Sequence, residues 1–479
     1  MRLSRAVLAD LSPGIARPGP IPRATGIVHF GPGAFHRAHQ ADYIDRLLAQ
    51  DPRWGIAEVS LRSGAVTADL AAQDGLYTLA LRDAVPDLRI IGAVAGVIGP
   101  GENARLASCL ASPDVRLVTT TVTEKGYCLG GDATLAFDHP DIVHDLAHPE
   151  APRSVIGWLV RGLALRRAAG LPAFAVAPCD NLPDNGGRVG AAVQALAARQ
   201  DPQLAAWIAG EARFVGTMVD SITPASDAEL GVRVATAIGC ADHVPVQRER
   251  FTQWVLADNF PADGPDLASV GAIITSDVAG FERAKLRLLN GAHSSLAYLG
   301  LLRGATSVAA AMADAPLSRF VETMLHADVR PGLPPLPGLD LADYIDTVLM
   351  RFRNSAIVHN LAQIAIDGSQ KLPYRLLDSV QAARAEGRPV ERLLLPVAAW
   401  LRWLSRADTP AAIADPLAVP LWHAARAADD PVGQCLALSA VFPATLRGDA
   451  MVRAALDAGW RATADAGQLD TALASLSRL

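Results

Sequence analysis

Short β-branched runs alternate with alanine- and leucine-rich stretches of helical spacing through the first 280 residues of the chain. Strands are predicted at GIVHF (26–30), WGIAEVSL (54–61), LRIIGAVAGV (88–97), VRLVTTTVT (115–123), FAVAPC (174–179) and ARFVGTMV (212–219). The stretches HRAHQADYIDRLLAQ, ENARLASCLA, SVIGWLVRGLALRRAAG and GRVGAAVQALAARQ carry the helical period between them. Strands alternating with helices in this way build a mostly parallel, doubly wound sheet. Beyond residue 280 the strand pattern stops and helical spacing takes over, with PGLPPLPGLD (331–340) and PLAVP (416–420) expected as loops. The expected fold class is therefore α/β: a Rossmann-type domain over 1–282 followed by a mostly α-helical domain over 283–479. No internal repeat or low-complexity tract interrupts either half.

The first predicted strand runs into GPGAFHRAHQ, so Gly31 and Gly33 lie between a strand and a helix. Glycines there let the backbone approach a pyrophosphate seated on the amides of a helix N-terminus. The third glycine of a full fingerprint is replaced by His36, and a tight turn without a ligand is the plain alternative. At the end of the second strand, where an acid would favour NAD, the chain reads SLRSGAV. Arg62 occupies that place and keeps NADP open beside NAD, whereas Glu58 lies inside the strand and can point elsewhere.

The segment FERAKLRLLNGAHSSLAYLG (281–300) poses a sharper question. At about 100° per residue, Glu282, Lys285, Asn290 and His293 fall within an arc of roughly 140°, a polar stripe among leucines. A solvated helix face is the ordinary explanation. Lysine desolvated by leucines, however, holds its proton less tightly and can exchange it with a substrate hydroxyl, which arginine cannot. Asn290 and Asn181, the latter in the strand-end loop PCDNLPDNGG, could then bind a developing alkoxide.

Composition narrows the classes. The 479 residues carry a net charge of −6, which argues against a nucleic-acid surface. Of 43 Lys and Arg only three are Lys (Lys125, Lys285 and Lys371), which makes each retained lysine informative. No apolar run of about 18 residues predicts a membrane span, and no signal peptide is recognisable. Five scattered cysteines without CxxC spacing point to reduced thiols in a cytoplasmic protein. His36 and His39 lack companions at zinc spacing, so no metal site is expected and supporting roles behind the glycine turn are preferred for them.

GPGAFHRAHQA, TVTEKGY, PCDNLPDNG, TMVDSITP, QWVLADNF, KLRLLNGAHSSLAYLG and DGSQKLP occur in that order. With these motifs the chain resembles the polyol-specific long-chain dehydrogenase/reductase (mannitol dehydrogenase) family over nearly its whole length. The resemblance implies a metal-independent, NAD-dependent oxidoreductase (NADP not excluded) acting on a small sugar acid or polyol. Lys285 matches the general acid/base, Asn181 and Asn290 the pair polarising the substrate oxygen, and His293 a substrate-orienting group. Glu282 matches a carboxylate that conducts the proton to water. Asp220 and Lys371 match polar residues of the substrate pocket, to which Gln363 is added. Gly31, Ala34 and Phe35 match the nucleotide loop; Gly33, Arg62, Thr123 and Glu124 complete the expected cofactor set.

TVTEKGYC, DPQLAAWI and QIAIDGSQKLPYRLLD look most like fructuronate reductases, implying interconversion of D-fructuronate and D-mannonate. A mannitol- or arabinitol-type polyol 2-dehydrogenase is the alternative; those enzymes tend to carry Arg where this chain has Gln363. Two positions depart from the pattern: Ser221 replaces a usual Arg, which weakens the case for a substrate carboxylate, and Ala257 replaces a common Glu. From another class, a non-catalytic nucleotide sensor is the competing possibility. No nucleic-acid or membrane partner is expected, and the expected state is a monomer or weak dimer.

Overall fold

The computed structural model describes residues 1–478 apart from Ala84, Pro86 and the side chain of Glu124. Two compact units divide the chain, Met1–Ala279 and Gly280–Leu479.

Twelve strands lie in the first unit among the described residues: β1 Thr25–Phe30, β2 Gly55–Val59, β3 Tyr77–Arg82, β4 Asp87–Ile91, β5 Val94–Ile98, β6 Leu117–Thr120, β7 Ala175–Pro178, β8 Arg213–Phe214, β9 Thr217–Asp220, β10 Val246–Glu249, β11 Gln253–Ala257 and β12 Ile273–Thr275. Six form one parallel sheet in the order β5-β2-β1-β6-β7-β8. Counted within this sheet, that is the 3-2-1-4-5-6 order of dinucleotide-binding folds, and the order reverses beside β1. Both faces of the sheet are covered, which is why its strands read as continuous apolar runs. Val28, Phe30, Val59, Val118 and Val176 share a core with Trp158 and Val189 of the helices Val155–Ala168 and Asn185–Gln200. Ile27, Ile56, Leu117 and Ala175 point the other way, toward Ile44, Leu47 and Trp254.

Two predicted strands are each two strands in the structure. The run 88–97 breaks at Gly92–Ala93: β4 pairs antiparallel with β3, and β5 joins the main sheet beside β2. A Cβ on Gly92 would sit 2.7 Å from the Pro18 ring, and the Gly92 N–H donates to buried Asp45 at 2.7 Å. The run 212–219 breaks at Gly216 into β8, on the main sheet, and β9, which pairs antiparallel with β11. HRAHQADYIDRLLAQ is likewise two helices, Ala34–Ala38 and Gln40–Leu47, separated by His39 at φ −117°, ψ −87°.

The second unit is helical. Its helix Glu391–Ser405, largely buried, packs against Gly291–Leu302 and Ala450–Ala462. PLAVP is not the expected loop, because a helix starts at Ala418 and includes Pro420. Proline is tolerated there since the first-turn N–H groups have no partner within the helix. The DGSQKLP stretch is helical too, over Gly368–Leu372, after Asp367 takes a left-handed turn at φ 57°.

Candidate active site

Gly31 leaves β1 at φ +101°, and a Cβ there would lie 2.4 Å from the Thr121 carbonyl oxygen. The turn is pinned on both sides. Gly31 N–H donates to Val59 O at 2.9 Å, and the Thr121 hydroxyl donates to Gly31 O at 2.7 Å. Gly33 N–H folds back onto Gly31 O at 2.6 Å, and Gly33 then caps the helix that carries Ala34 and Phe35. Hence the backbone is bare where the ends of β1 and β6 meet, at the reversal of strand order, which is where a dinucleotide fits such a sheet. A cleft of about 230 Å³ opens at this point, lined by Phe30, Gly31, Ser60, Arg62, Thr123 and Arg153 among others. A cavity of about 500 Å³ adjoins it beyond β2 and β5, with Arg62, Gly99, Asn103 and Asp141 in its wall. Gly31, Arg62 and Thr123 are thus brought to one cleft; the expected Glu124 side chain lies outside the described residues.

Beneath the turn lies a polar cluster of His36 and Glu58, for which supporting or inward-pointing roles were expected, joined by His29, which the sequence reading left out. His29, on buried β1, reaches Thr119 Oγ1 through Nδ1 at 2.8 Å and Thr121 Oγ1 through Nε2 at 2.9 Å. Its ring stacks on His36 with centroids 3.3 Å apart, and His36 Nε2 is 2.9 Å from Glu58 Oε1. One ligand atom from each of His29, His36 and Glu58 lies within 4.8 Å of the others, a grouping that could hold a metal ion by type and distance. The two rings stack face to face, both His29 nitrogens engage Thr119 and Thr121, and His36 Nε2 engages Glu58, so the cluster braces β1, β2 and the helix start together. His39 plays a similar part, Nε2 lying 3.1 Å from Gln253 O. A histidine and a glutamate in otherwise apolar strands were the available signal.

Burial governs the titration of this brace. Loss of water pushes Glu58 up to about 7, against lowering by His29 and Arg37. The same desolvation pushes His36 down to about 3. An acid whose folded pKa exceeds its unfolded value contributes stability that is present below the unfolded value, near 4.5, and lost as pH rises through about 7. Between those limits the loss assignable to Glu58 is about 3 kcal/mol. Glu58→Gln keeps an oxygen toward His36 and cannot ionise. Denaturant midpoints are therefore expected to fall for the parent relative to Glu58→Gln between pH 5 and pH 8; parallel curves would refute the assignment.

Asn181 emerges exposed after β7, in the loop before the helix Asn185–Gln200. Its neighbours fix it. Asp180 accepts from the Leu182 N–H at 3.0 Å and from the buried Tyr127 hydroxyl, itself hydrogen-bonded to Thr120 on β6. Asn185 donates to the Pro178 and Thr217 carbonyls at 3.1 and 3.0 Å and accepts from Thr217 N–H at 2.9 Å, bolting the loop to β9. Neither Tyr127, Asp180 nor Asn185 was singled out from the sequence, although all three stand in the quoted motifs. Asp220 ends β9 in a buried position. Ser221 gives its hydroxyl to Phe251 O at 3.0 Å, so it is used internally.

In the helical unit, Lys285 opens a π-helical turn, Lys285–Asn290, set between the α-helices Val278–Ala284 and Gly291–Leu302. The expected uninterrupted α-helix over 281–300 is corrected here, with a chemical consequence. In an α-helix, residues five apart sit about 140° from one another; with i→i+5 bonding they become near neighbours on adjacent turns. Lys285 and Asn290 are five apart, so the wide arc read from the sequence narrows. Gly291 N–H donates back to Leu286 O. A Cβ on Gly291 would meet the Arg375 carbonyl at 2.8 Å, so glycine lets this turn approach a second π turn, Pro373–Leu377. Glu282, Lys285, Asn290 and His293 are all half-buried, while Phe281, Ala284, Leu288, Leu289 and Ala292 behind them are fully buried.

His293 packs on Phe352 (centroids 4.4 Å) and against the edge of His359 (5.6 Å), a residue the sequence gave no reason to choose. Lys371 donates to the carbonyls of Ile366 at 2.6 Å and Ile364 at 3.5 Å; burial, then Arg375, lower its pKa. Gln363 is exposed in the first turn of Leu361–Ile364, capped by Asn360.

The sheet order and its glycine turn define a dinucleotide-binding class of fold. Residues 25–269 match the mannitol dehydrogenase Rossmann domain and residues 277–462 the mannitol dehydrogenase C-terminal domain. The chain belongs to the mannitol dehydrogenase family. It is 42% identical to the D-mannonate oxidoreductase of Escherichia coli (strain K12) over 390 residues, 80% of either chain. Identity to a mannitol 2-dehydrogenase of Aspergillus fumigatus (strain CBS 144.89 / FGSC A1163 / CEA10) is 37% over 439 residues, 88% of either chain. Among solved structures, the Pseudomonas fluorescens mannitol 2-dehydrogenase in ternary complex with NAD and D-mannitol superposes with a TM-score of 0.81 at 37% identity, covering 99% of both chains. No helix among the described residues is long and apolar enough to cross a membrane.

Proposed function

We propose that the protein interconverts D-fructuronate and D-mannonate with a nicotinamide adenine dinucleotide, NAD or its 2′-phosphate. The observation that carries the chemistry is the π turn that makes Lys285 and Asn290 near neighbours on a half-buried stripe. Bound nicotinamide supplies the acceptor of hydride in oxidation and its donor in reduction. Lys285 takes the proton of the substrate hydroxyl during oxidation and returns it to the carbonyl oxygen during reduction. Asn290 and Asn181 donate amide hydrogens to that oxygen as its charge develops. His293, held between Phe352 and His359, orients the substrate, and Glu282, three residues from Lys285 on the same stripe, relays the proton to water.

The sugar-acid assignment draws on the D-mannonate oxidoreductase relative and on Lys371. That cation gives N–H groups to the Ile366 and Ile364 carbonyls, and an ammonium has a third N–H that can be offered to a substrate carboxylate. The polyol 2-dehydrogenase reading is favoured by Ser221, which puts no charge where many relatives have arginine. A panel of mannonate, altronate, mannitol and arabinitol, each with NAD and NADP, separates them. Turnover of mannonate with little on mannitol is expected; oxidation of free polyols and of no aldonate would sink the sugar-acid reading.

A further inference from the structure

A second group of metal-ligating side chains lies in the α/β unit, apart from the histidine brace. Cys128, His139 and Asp141 each offer a ligand atom, and the three atoms lie within 4.8 Å of one another. Cysteine, ten residues, histidine, one residue, aspartate is no standard zinc spacing, so the fold and not the motif brings them together. A tight hairpin between them pairs Leu129 with Leu135. Ala136 N–H donates to Cys128 O at 2.9 Å, and His139 N–H donates to Ala136 O at 3.0 Å. His139 then caps the helix Pro140–Ala147, whose second residue is Asp141. Cys128 holds a left-handed φ of 56°, strained backbone of the kind retained at ligand clamps. Cys128 is buried, while His139 and Asp141 are half-buried and Asp141 stands in the wall of the 500 Å³ cavity, which gives an ion a way in. The brace has no such access, because His29, His36 and Glu58 are all buried and its two rings cover each other.

A thiol, an imidazole and a carboxylate suit a borderline-soft divalent ion such as Zn²⁺, whereas Mg²⁺ and Ca²⁺ take oxygen ligands. Ligand atoms about 2.0–2.3 Å from a tetrahedral ion stand roughly 3.3–3.7 Å from one another, so the group closes by about 1 Å on binding. Two existing contacts are exchanged for the ion. His139 Nδ1 accepts from the Asp141 N–H at 3.2 Å, a long bond, and Arg62 Nη2 lies 2.9 Å from Asp141 Oδ2. The Arg62 side chain is 77% exposed, so that pair is of the weak surface kind. Buried Asp145 adds a second negative charge acting on Cys128, a field that favours a cation and that only Arg62 opposes.

We propose that Cys128, His139 and Asp141 bind one zinc-type divalent ion, with water as the fourth ligand. The Cys128 thiol gives its proton to water as the sulfur–metal bond forms. The ion clips the hairpin to the start of the helix, a role that goes beyond the reaction proposed above and does not depend on it.

The test uses the full-length protein stripped with chelator and titrated with Co²⁺, whose bond to a thiolate gives a near-ultraviolet charge-transfer band. The band is expected to saturate at one ion per chain and to vanish when Zn²⁺, but not Mg²⁺, is added. The thermal midpoint of the parent should rise with Zn²⁺, since an ion held by the folded state alone stabilises it. Cys128→Ser should abolish the band, and Cys128→Ser and His139→Gln should each weaken Zn²⁺ binding by about tenfold or more. Cys109→Ser, at the half-buried cysteine of the same unit, should leave the band unchanged. Melts without metal verify that each variant is folded, and if Cys128→Ser does not fold, His139→Gln decides alone. Absence of the band in the parent, its survival in Cys128→Ser, its loss on adding Mg²⁺, or unchanged Zn²⁺ affinity in His139→Gln overturns the assignment.

Discussion

Lys285→Ala is expected to lower turnover by about 10²- to 10⁴-fold, the usual contribution of a positioned acid or base, while dinucleotide affinity changes little. Lys285 lies in the helical unit on a half-buried stripe, whereas the glycine turn and its cleft lie wholly in the α/β unit. Substitution at one therefore leaves the nucleotide-binding turn intact. Lys285→Arg should be as inactive as the alanine variant, because a guanidinium keeps the charge and does not release its proton near neutral pH. That pair of variants separates a proton-transfer role from a purely electrostatic one, for which arginine would restore most of the rate. Small primary amines added to Lys285→Ala should recover part of the lost turnover, and nothing comparable should happen in Lys285→Arg, where the space is filled. Unchanged activity in Lys285→Ala ends the mechanism. A parent that binds NADH and turns over none of the candidate substrates would instead make the protein a sensor.

The features legible in advance share one property: their cause is local. Gly31 must be glycine because of the turn it makes, and the strand before it and the helix after it mark that turn in the sequence. The sheet class was likewise legible, because two buried faces impose apolar runs whichever helices cover them. What escaped depends on neighbours distant in the chain. LRIIGAVAGV reads as one strand since nothing in its polarity records that Gly92 turns against Pro18 and onto Asp45. The π turn at Lys285 escaped for a similar reason: an α-helical period was assumed throughout, while the extra residue is accommodated where Gly291 lets a second turn come close. At the candidate site, the sequence shows the polar stripe and not the contacts that surround such residues. Tyr127 and Asp180 meet across 53 residues, and Glu58 finds His36 only because β2 lies beside β1.

Gly31→Ala is expected to be the most damaging single change at the nucleotide end, and the comparison with Gly33→Ala shows why the two glycines of one motif are not equivalent. At φ +101° an L-residue is strained by about 1–2 kcal/mol before any contact is considered. The added Cβ then lies 2.4 Å from a backbone oxygen, that of Thr121, and no rotamer can move it. Relief must come from spreading β1 and β6, which breaks the grip of the Thr121 hydroxyl on Gly31 O and of His29 on Thr121. Those strand ends form the mouth of the cleft, so stability and affinity should fall together: about 2–4 kcal/mol in denaturant unfolding and about 100-fold or more in the NADH dissociation constant. Gly33 is different. Its φ of −71° suits any residue, and a Cβ there meets nothing nearer than Gly31 O at 3.8 Å. Gly33→Ala should therefore leave the unfolding curve within about 0.5 kcal/mol of the parent. Its methyl group would stand on the exposed side of the turn, where a pyrophosphate approaches, so nucleotide affinity alone should drop. An NADH affinity unchanged in both variants would show that the turn is structural and that the dinucleotide binds elsewhere or not at all.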